Sequence, residues 1–178
     1  MAYWFKSLHS KKEKPMTYTE QKKEKLTKTA FAVYAVIMLW LLFGQRIGGV
    51  AVSDYWETVR ESYSVEPFMT IGNFFRSMLH PRSGEALFEA VKNLGGNVIL
   101  FIPFGYFIPA VFRKFEKPLR SILFGAVCIV AVEILQLFTL LGKCDIDDLI
   151  LNVIGISLGR VLFYFIQSKE KYVDFFKK

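Results

Sequence analysis

Apolar positions in this chain are grouped into long blocks separated by polar stretches, and the blocks have the length of membrane-crossing helices. The first runs from Thr29 to Gly44, through Ala-Val-Tyr-Ala-Val-Ile-Met-Leu-Trp-Leu-Leu-Phe, and Gly44, Gly48 and Gly49 end it. Three more cover Asn97 to Phe112, Ser121 to Leu141 and about Asp148 to Ile166. The second block contains Pro103, Gly105 and Pro109 and is short for a straight crossing. It is expected to kink and to leave carbonyls that neighbouring helices or water must satisfy. Ahead of the first block, Thr17 to Glu20 has the spacing of a capping box, so a helix is expected to start there and continue into the membrane.

Between the first two blocks lies an outer loop, residues 45–96, too long to be structureless. Phe68, Ile71, Phe75 and Met78 follow a helical period with Leu79 beside them, an apolar face suited either to the membrane surface or to padding the bundle. A second short helix is expected from Ser83, burying Leu87, Phe88, Val91 and Leu94 and stopping at Gly95–Gly96. The pattern therefore predicts an all-α integral membrane protein of about four transmembrane helices with a kinked second span, plus short interfacial helices in the first outer loop. Residues 1–28 form a basic N-terminal segment, 29–167 the membrane domain, and 168–178 a basic tail.

Composition strengthens this picture: 53% of residues are hydrophobic, 18 are Phe, and mean hydropathy is +0.32. That is too apolar for an ordinary soluble domain of 178 residues. The net charge of +7 does not call for nucleic acid, because Lys and Arg flank the apolar blocks. They are dense before the first block, in Arg113 to Arg120 and in the tail, and sparse elsewhere, which places both termini and the Arg113 to Arg120 loop in the cytoplasm. Arg160 lies near the inner half of the last span, within snorkelling reach of the interface. Ala51-Val52-Ser53 fits a signal-peptidase site, but the long basic region and long apolar block favour a retained anchor. Cys128 lies inside an apolar run and Cys144 beyond its end, about 24 Å away if the run is helical, too far for a disulfide.

The candidate chemistry lies at the outer ends of the spans. Asn97 opens the second, Glu133 and Gln136 lie in the outer half of the third, and Asp145, Asp147, Asp148 and Asn152 straddle the start of the fourth. Glu133 and Gln136 share a helix face, as do Asp148 and Asn152, and ionisable groups at membrane depth usually face inward and mark function. Glu133 reads either as a protonated carboxyl bonded to a neighbouring helix or as a general base, cation ligand or headgroup receptor. For the three aspartates the plain alternative is a solvated loop with one helix cap. Carboxylates with amide oxygens suit Mg²⁺ or Ca²⁺, but the spacing is not that of an EF-hand and no His joins them, so no cofactor or metal is expected. Gly155 and Gly159 form a small-xxx-small pair that packs helices and offers a seam for a homodimer, which proton-coupled transport would need.

The series Asn97-x-x-x-Phe101-x-Pro103-Phe104-Gly105-x-x-x-Pro109, Glu133-x-x-Gln136 and Asp145-x-Asp147-Asp148-x-x-x-Asn152-x-x-Gly155-x-x-x-Gly159 resembles the VanZ-like family of bacterial membrane proteins. Glu66-Pro67-Phe68-x-Thr70-Ile71 is similar to the Pro-Phe segment before that family's second span, and the resemblance covers Glu66 to Ile166. It implies a multi-span helical protein of the bacterial cytoplasmic membrane, in a family named for a member associated with resistance to teicoplanin, a lipid-tailed glycopeptide. Where the family commonly has Arg before the Asp motif this chain has Gly142-Lys143-Cys144, and Lys does not reproduce bidentate binding by Arg.

Two functions follow. In one, which the resemblance suggests, an outward-facing polar pocket of Asn97, Glu133, Gln136, Asp145, Asp147, Asp148 and Asn152 engages a membrane lipid or lipid-linked envelope precursor without catalysis and so affects tolerance to teicoplanin-type lipoglycopeptides. In the other, an intramembrane enzyme modifies such a substrate with Glu133 or Asp147 as general base.

Overall fold

A computed structural model describes residues 16–44, 54–64, 66–79, 84–142 and 144–176. The basic segment up to Pro15, the Gly48–Gly49 stop, the Ala51–Ser53 site, the Ser83 helix start and Lys143 lie outside the described residues. Among the described residues six α-helices follow in order: α1 (Tyr18–Phe43), α2 (Tyr55–Glu61), α3 (Met69–Leu79), α4 (Gly84–Val111), α5 (Pro118–Phe138) and α6 (Ile146–Phe176), with a 3-10 turn at Arg113–Phe115. Four of them, α1, α4, α5 and α6, are long and apolar enough to cross a membrane. The all-α membrane class of the sequence reading holds.

Helix α1 starts at the capping box: Thr17 Oγ1 accepts the Glu20 amide, and the Glu20 carboxylate accepts the Thr17 amide. Its Phe31, Tyr34, Met38 and Leu42 form one stripe toward the core, while Val33, Val36, Ile37 and Trp40 are exposed and suited to lipid. Pro118 opens α5 at a position where its missing N–H costs nothing. The buried residues of α5, Ser121, Gly125, Ile129, Glu133 and Gln136, lie on a single face.

The expected helix stop at Gly95–Gly96 does not occur: α4 is one helix from Gly84 to Val111, and its membrane-length part begins at Val91. Two glycines weaken a helix but do not end one whose backbone has no other hydrogen-bonding partner at the edge of an apolar span. The helix also continues through Pro103 and Pro109. Pro103 has no N–H to give the Ile99 carbonyl, and at the next residue Tyr34 of α1 donates its hydroxyl to the Leu100 carbonyl at 2.7 Å.

The closest helix pair is α4 with α6. A Cβ added to Gly159 would lie 1.9 Å from the Ile102 carbonyl oxygen, and one on Gly155 would lie 2.3 Å from that of Val98. Gly105 answers from α4, where a Cβ would meet the Ile156 backbone at 2.1 Å. The small-xxx-small face is thus occupied by α4 within the same chain, and a homodimer through that face has no surface to use. Met38, Phe101, Phe104, Ile108, Ile129 and Ile156 make the core where α1, α4, α5 and α6 meet.

The connecting region is tied down at one end of the bundle. Tyr63 and Ser64 (β1) pair in parallel with Cys144 and Asp145 (β2), a two-residue ladder that the sequence did not announce. Tyr55 of α2 donates its hydroxyl to the Phe138 carbonyl at 2.7 Å. Helix α3 touches both α4 and α6 and leaves Phe75, Met78 and Leu79 uncovered by protein, the apolar face expected for a surface helix.

Candidate functional site

The polar residues singled out in the sequence gather at the end of the bundle that carries α3, but each does a different job. Asp145 immediately precedes α6 and caps it: its Oδ1 accepts the Asp147 amide at 2.9 Å, and its Oδ2 accepts the Thr70 hydroxyl at 2.8 Å. Asp148, in the first turn of α6, accepts the side-chain amide of Asn97 on α4. Three carboxylates crowd one helix start without being mutually fatal because the positive end of the helix dipole faces them.

Asp147 is fully buried. Its Oδ1 accepts the Phe68 amide at 2.6 Å, and its Oδ2 accepts the amides of Thr70 at 2.8 Å and Ile71 at 3.1 Å. Thr70 and Ile71 are the second and third residues of α3, whose amides have no partner within the helix. The residue that should cap them, Phe68, has no side-chain acceptor, although its carbonyl receives the Gly72 amide. Phe68 has φ 66°, a left-handed conformation uncommon for an aromatic residue. This aims its own amide at Asp147 as well. Asp147 is therefore the N-cap of a helix to which it does not belong.

Gln136 is drawn away from the carboxylates. Its Nε2 donates at 2.9 Å to the Leu42 carbonyl in the last turn of α1, an oxygen left without an intrahelical partner. Glu133, one turn earlier on the same buried face, is 7% exposed and lies within electrostatic range of Cys144. Burial first, then the carboxylates of Glu133, Asp145 and Asp148, push the Cys144 thiol above its ordinary value. Asn152 is 4% exposed, and its Oδ1 has no hydrogen-bond partner among the described residues. Among the described residues that acceptor is a buried polar atom whose bonding is left open.

Among the described residues no three His, Cys, Asp or Glu side chains are arranged to hold a metal ion. The aspartate oxygens point to three different destinations instead: α6 itself, α3 and α4. Sequence reasoning missed the backbone of Phe68, Thr70 and Ile71 as part of the cluster, along with the Leu42 carbonyl. A signal for the first was present, since a helix that begins after Pro-Phe has no cap of its own and must borrow one.

The VanZ/LLP1 family model matches residues 31–167, a stretch that contains all four membrane-length helices' apolar parts and every polar residue just described. The chain belongs to the VanZ/LLP1 family. It is also 31% identical over 139 residues to Protein VanZ of Enterococcus faecium, an alignment covering 78% of this chain and 73% of that one. No solved structure matches it. Membership and the four apolar helices together make this VanZ/LLP1 chain a multi-pass membrane protein. The match leaves out residues 1–30, with the first half of α1, and everything after 167, with the final stretch of α6.

Proposed function

We propose that this protein raises tolerance to teicoplanin-type lipoglycopeptides by engaging a lipid or lipid-linked envelope component at the carboxylate-bearing end of its bundle. On this reading it sits in the bacterial cytoplasmic membrane with both termini inside, so that this end faces outward, in keeping with the dense Lys and Arg at the other end. The observation that carries the proposal is Asn152. Its buried Oδ1 lacks a donor among the described residues, one turn along α6 from the Asn97–Asp148 pair. A buried acceptor left open costs stability, and a ligand that brings an N–H or O–H group supplies what is missing. Glu133 adds a buried carboxyl on the neighbouring helix. Asp145, Asp147 and Gln136 act on this reading as the frame that holds the pocket in shape.

An enzymatic version of the same site falls to Glu133. Both oxygens of Asp147 already accept backbone amides, which leaves it poorly placed to take a proton from a substrate.

The test compares teicoplanin and vancomycin susceptibility in a sensitive Gram-positive host expressing wild type, Glu133→Gln and Asn152→Leu, with membrane abundance followed by blot. Removing an unsatisfied buried acceptor should leave Asn152→Leu at least as abundant as wild type while its protection disappears. Protection retained by both variants at equal abundance would sink the pocket. A lipid pool that changes with wild type but not with Glu133→Gln would move the reading to the enzyme.

A further inference from the structure

The opposite end of the bundle holds a second, chemically inverse set of groups. Arg160 of α6 is 9% exposed. Its Nη2 donates to the Glu116 carbonyl, but Nε and Nη1 are sealed from water and have no hydrogen-bond partner among the described residues. The Phe163 ring lies 4.9 Å from the guanidinium carbon. Ser121 of α5, 1% exposed, also has a hydroxyl without a hydrogen-bond partner among the described residues. The helix register sets these two against each other: a Cβ on Gly125 of α5 would lie 2.5 Å from the Ile156 side chain. Helices α5 and α6 run antiparallel, so one turn further toward this end takes Gly125 to Ser121 and Ile156 to Arg160.

The surroundings have the same sign. Lys114, Lys117 and Arg120 are exposed on the adjoining loop and first turn of α5, and Glu116 is the acidic group within electrostatic range of Arg160. On the outer side of α6, Val161 and Tyr164 are exposed, so Arg160 borders a surface suited to lipid. A strut between α6 and the Glu116 carbonyl accounts for Nη2 alone. It leaves two guanidinium nitrogens and a hydroxyl with no hydrogen-bond partner among the described residues, and a guanidinium provides donors only.

We infer that this end binds the phosphate of an anionic phospholipid, with the headgroup entering from the lipid side between α5 and α6 onto Arg160 and Ser121, and the loop cations around it. Guanidinium groups favour phosphate oxygens, and basic pockets between spans are suited to anionic headgroups. The site is separate from the carboxylate cluster.

The experiment is native mass spectrometry of the detergent-purified full chain, titrated with phosphatidylglycerol, phosphatidylcholine or inorganic phosphate. Wild type should retain phosphatidylglycerol at least about tenfold more tightly than phosphatidylcholine. Arg160→Gln should lose that preference, and Ser121→Ala should weaken it about threefold. Ser121→Ala removes only a hydroxyl, so it decides the matter if Arg160→Gln fails to fold. Equal retention of both lipids, or unchanged preference in Ser121→Ala, overturns the site. Inorganic phosphate competing as well as the lipid overturns the assignment to a lipid.

Discussion

Asp147 and Phe68 are 79 positions apart and joined by a 2.6 Å bond from the Phe68 amide to the Asp147 carboxylate. Together with the amides of Thr70 and Ile71 this makes α6 the cap of α3. A polar side chain inside the bundle thereby fixes where a surface helix begins and the direction in which it leaves.

Asp147→Asn replaces a carboxylate that accepts three backbone amides with a group that turns N–H donors toward them. The expected cost is about 2–4 kcal/mol, because donors are left facing donors in a buried place. Thermal unfolding in detergent should show it, and limited proteolysis should cut the segment around Phe68 first. Unchanged unfolding would mean that the cap is not needed to hold α3.

Gly159→Ala and Gly95→Ala should move stability in opposite directions. A methyl at 159 would strike the Ile102 carbonyl and force α4 and α6 apart, whereas nothing lies within 4 Å of a Cβ at 95. Overpacking of this kind costs about 1–3 kcal/mol, and an open helical Gly→Ala change gains about 0.5–1 kcal/mol. Parallel melts of the two variants check both signs.

The helix content was legible because apolar blocks survive without tertiary information, and the shared face of Glu133 and Gln136 on α5 follows from their spacing. The partners of those residues were not legible. Asn97 and Asp148 were both singled out, yet nothing local says that they bond to each other, or that Gln136 turns to the Leu42 carbonyl instead of the carboxylates. Gly95–Gly96 was misleading for a related reason. In water it would compete as a helix stop, but beside an apolar span the backbone has to bond within the helix.

Cys144 should alkylate slowly at pH 8. Its pKa is raised by burial and by Glu133, Asp145 and Asp148, so less of it is thiolate at that pH than of an ordinary cysteine. The rate should climb only above the usual thiol range. Glu133→Gln removes one of the raising charges and should speed maleimide labelling at pH 8, with the pH midpoint moving down. An identical midpoint in both proteins would show that Glu133 carries no charge there.

Leu140→Gly should stabilise. Leu140 follows the end of α5 with φ 55°, and the Leu141 amide returns to the Gln136 carbonyl at 3.0 Å, a helix-ending turn that favours glycine at this position. Relief of the left-handed strain is worth about 1 kcal/mol. A higher melting temperature for the variant is the expected reading.

The borrowed cap also sets an order of assembly. Residues 68–71 leave the ribosome well before Asp147, and until the last span is threaded the 11-residue α3 has no acceptor for its leading amides. A helix that short is marginal on its own in water. During biogenesis α4 is already beside it, and α3 acquires its final register only when α6 arrives. Insertion of the final segment is therefore the event that completes the surface of the protein as well as its interior.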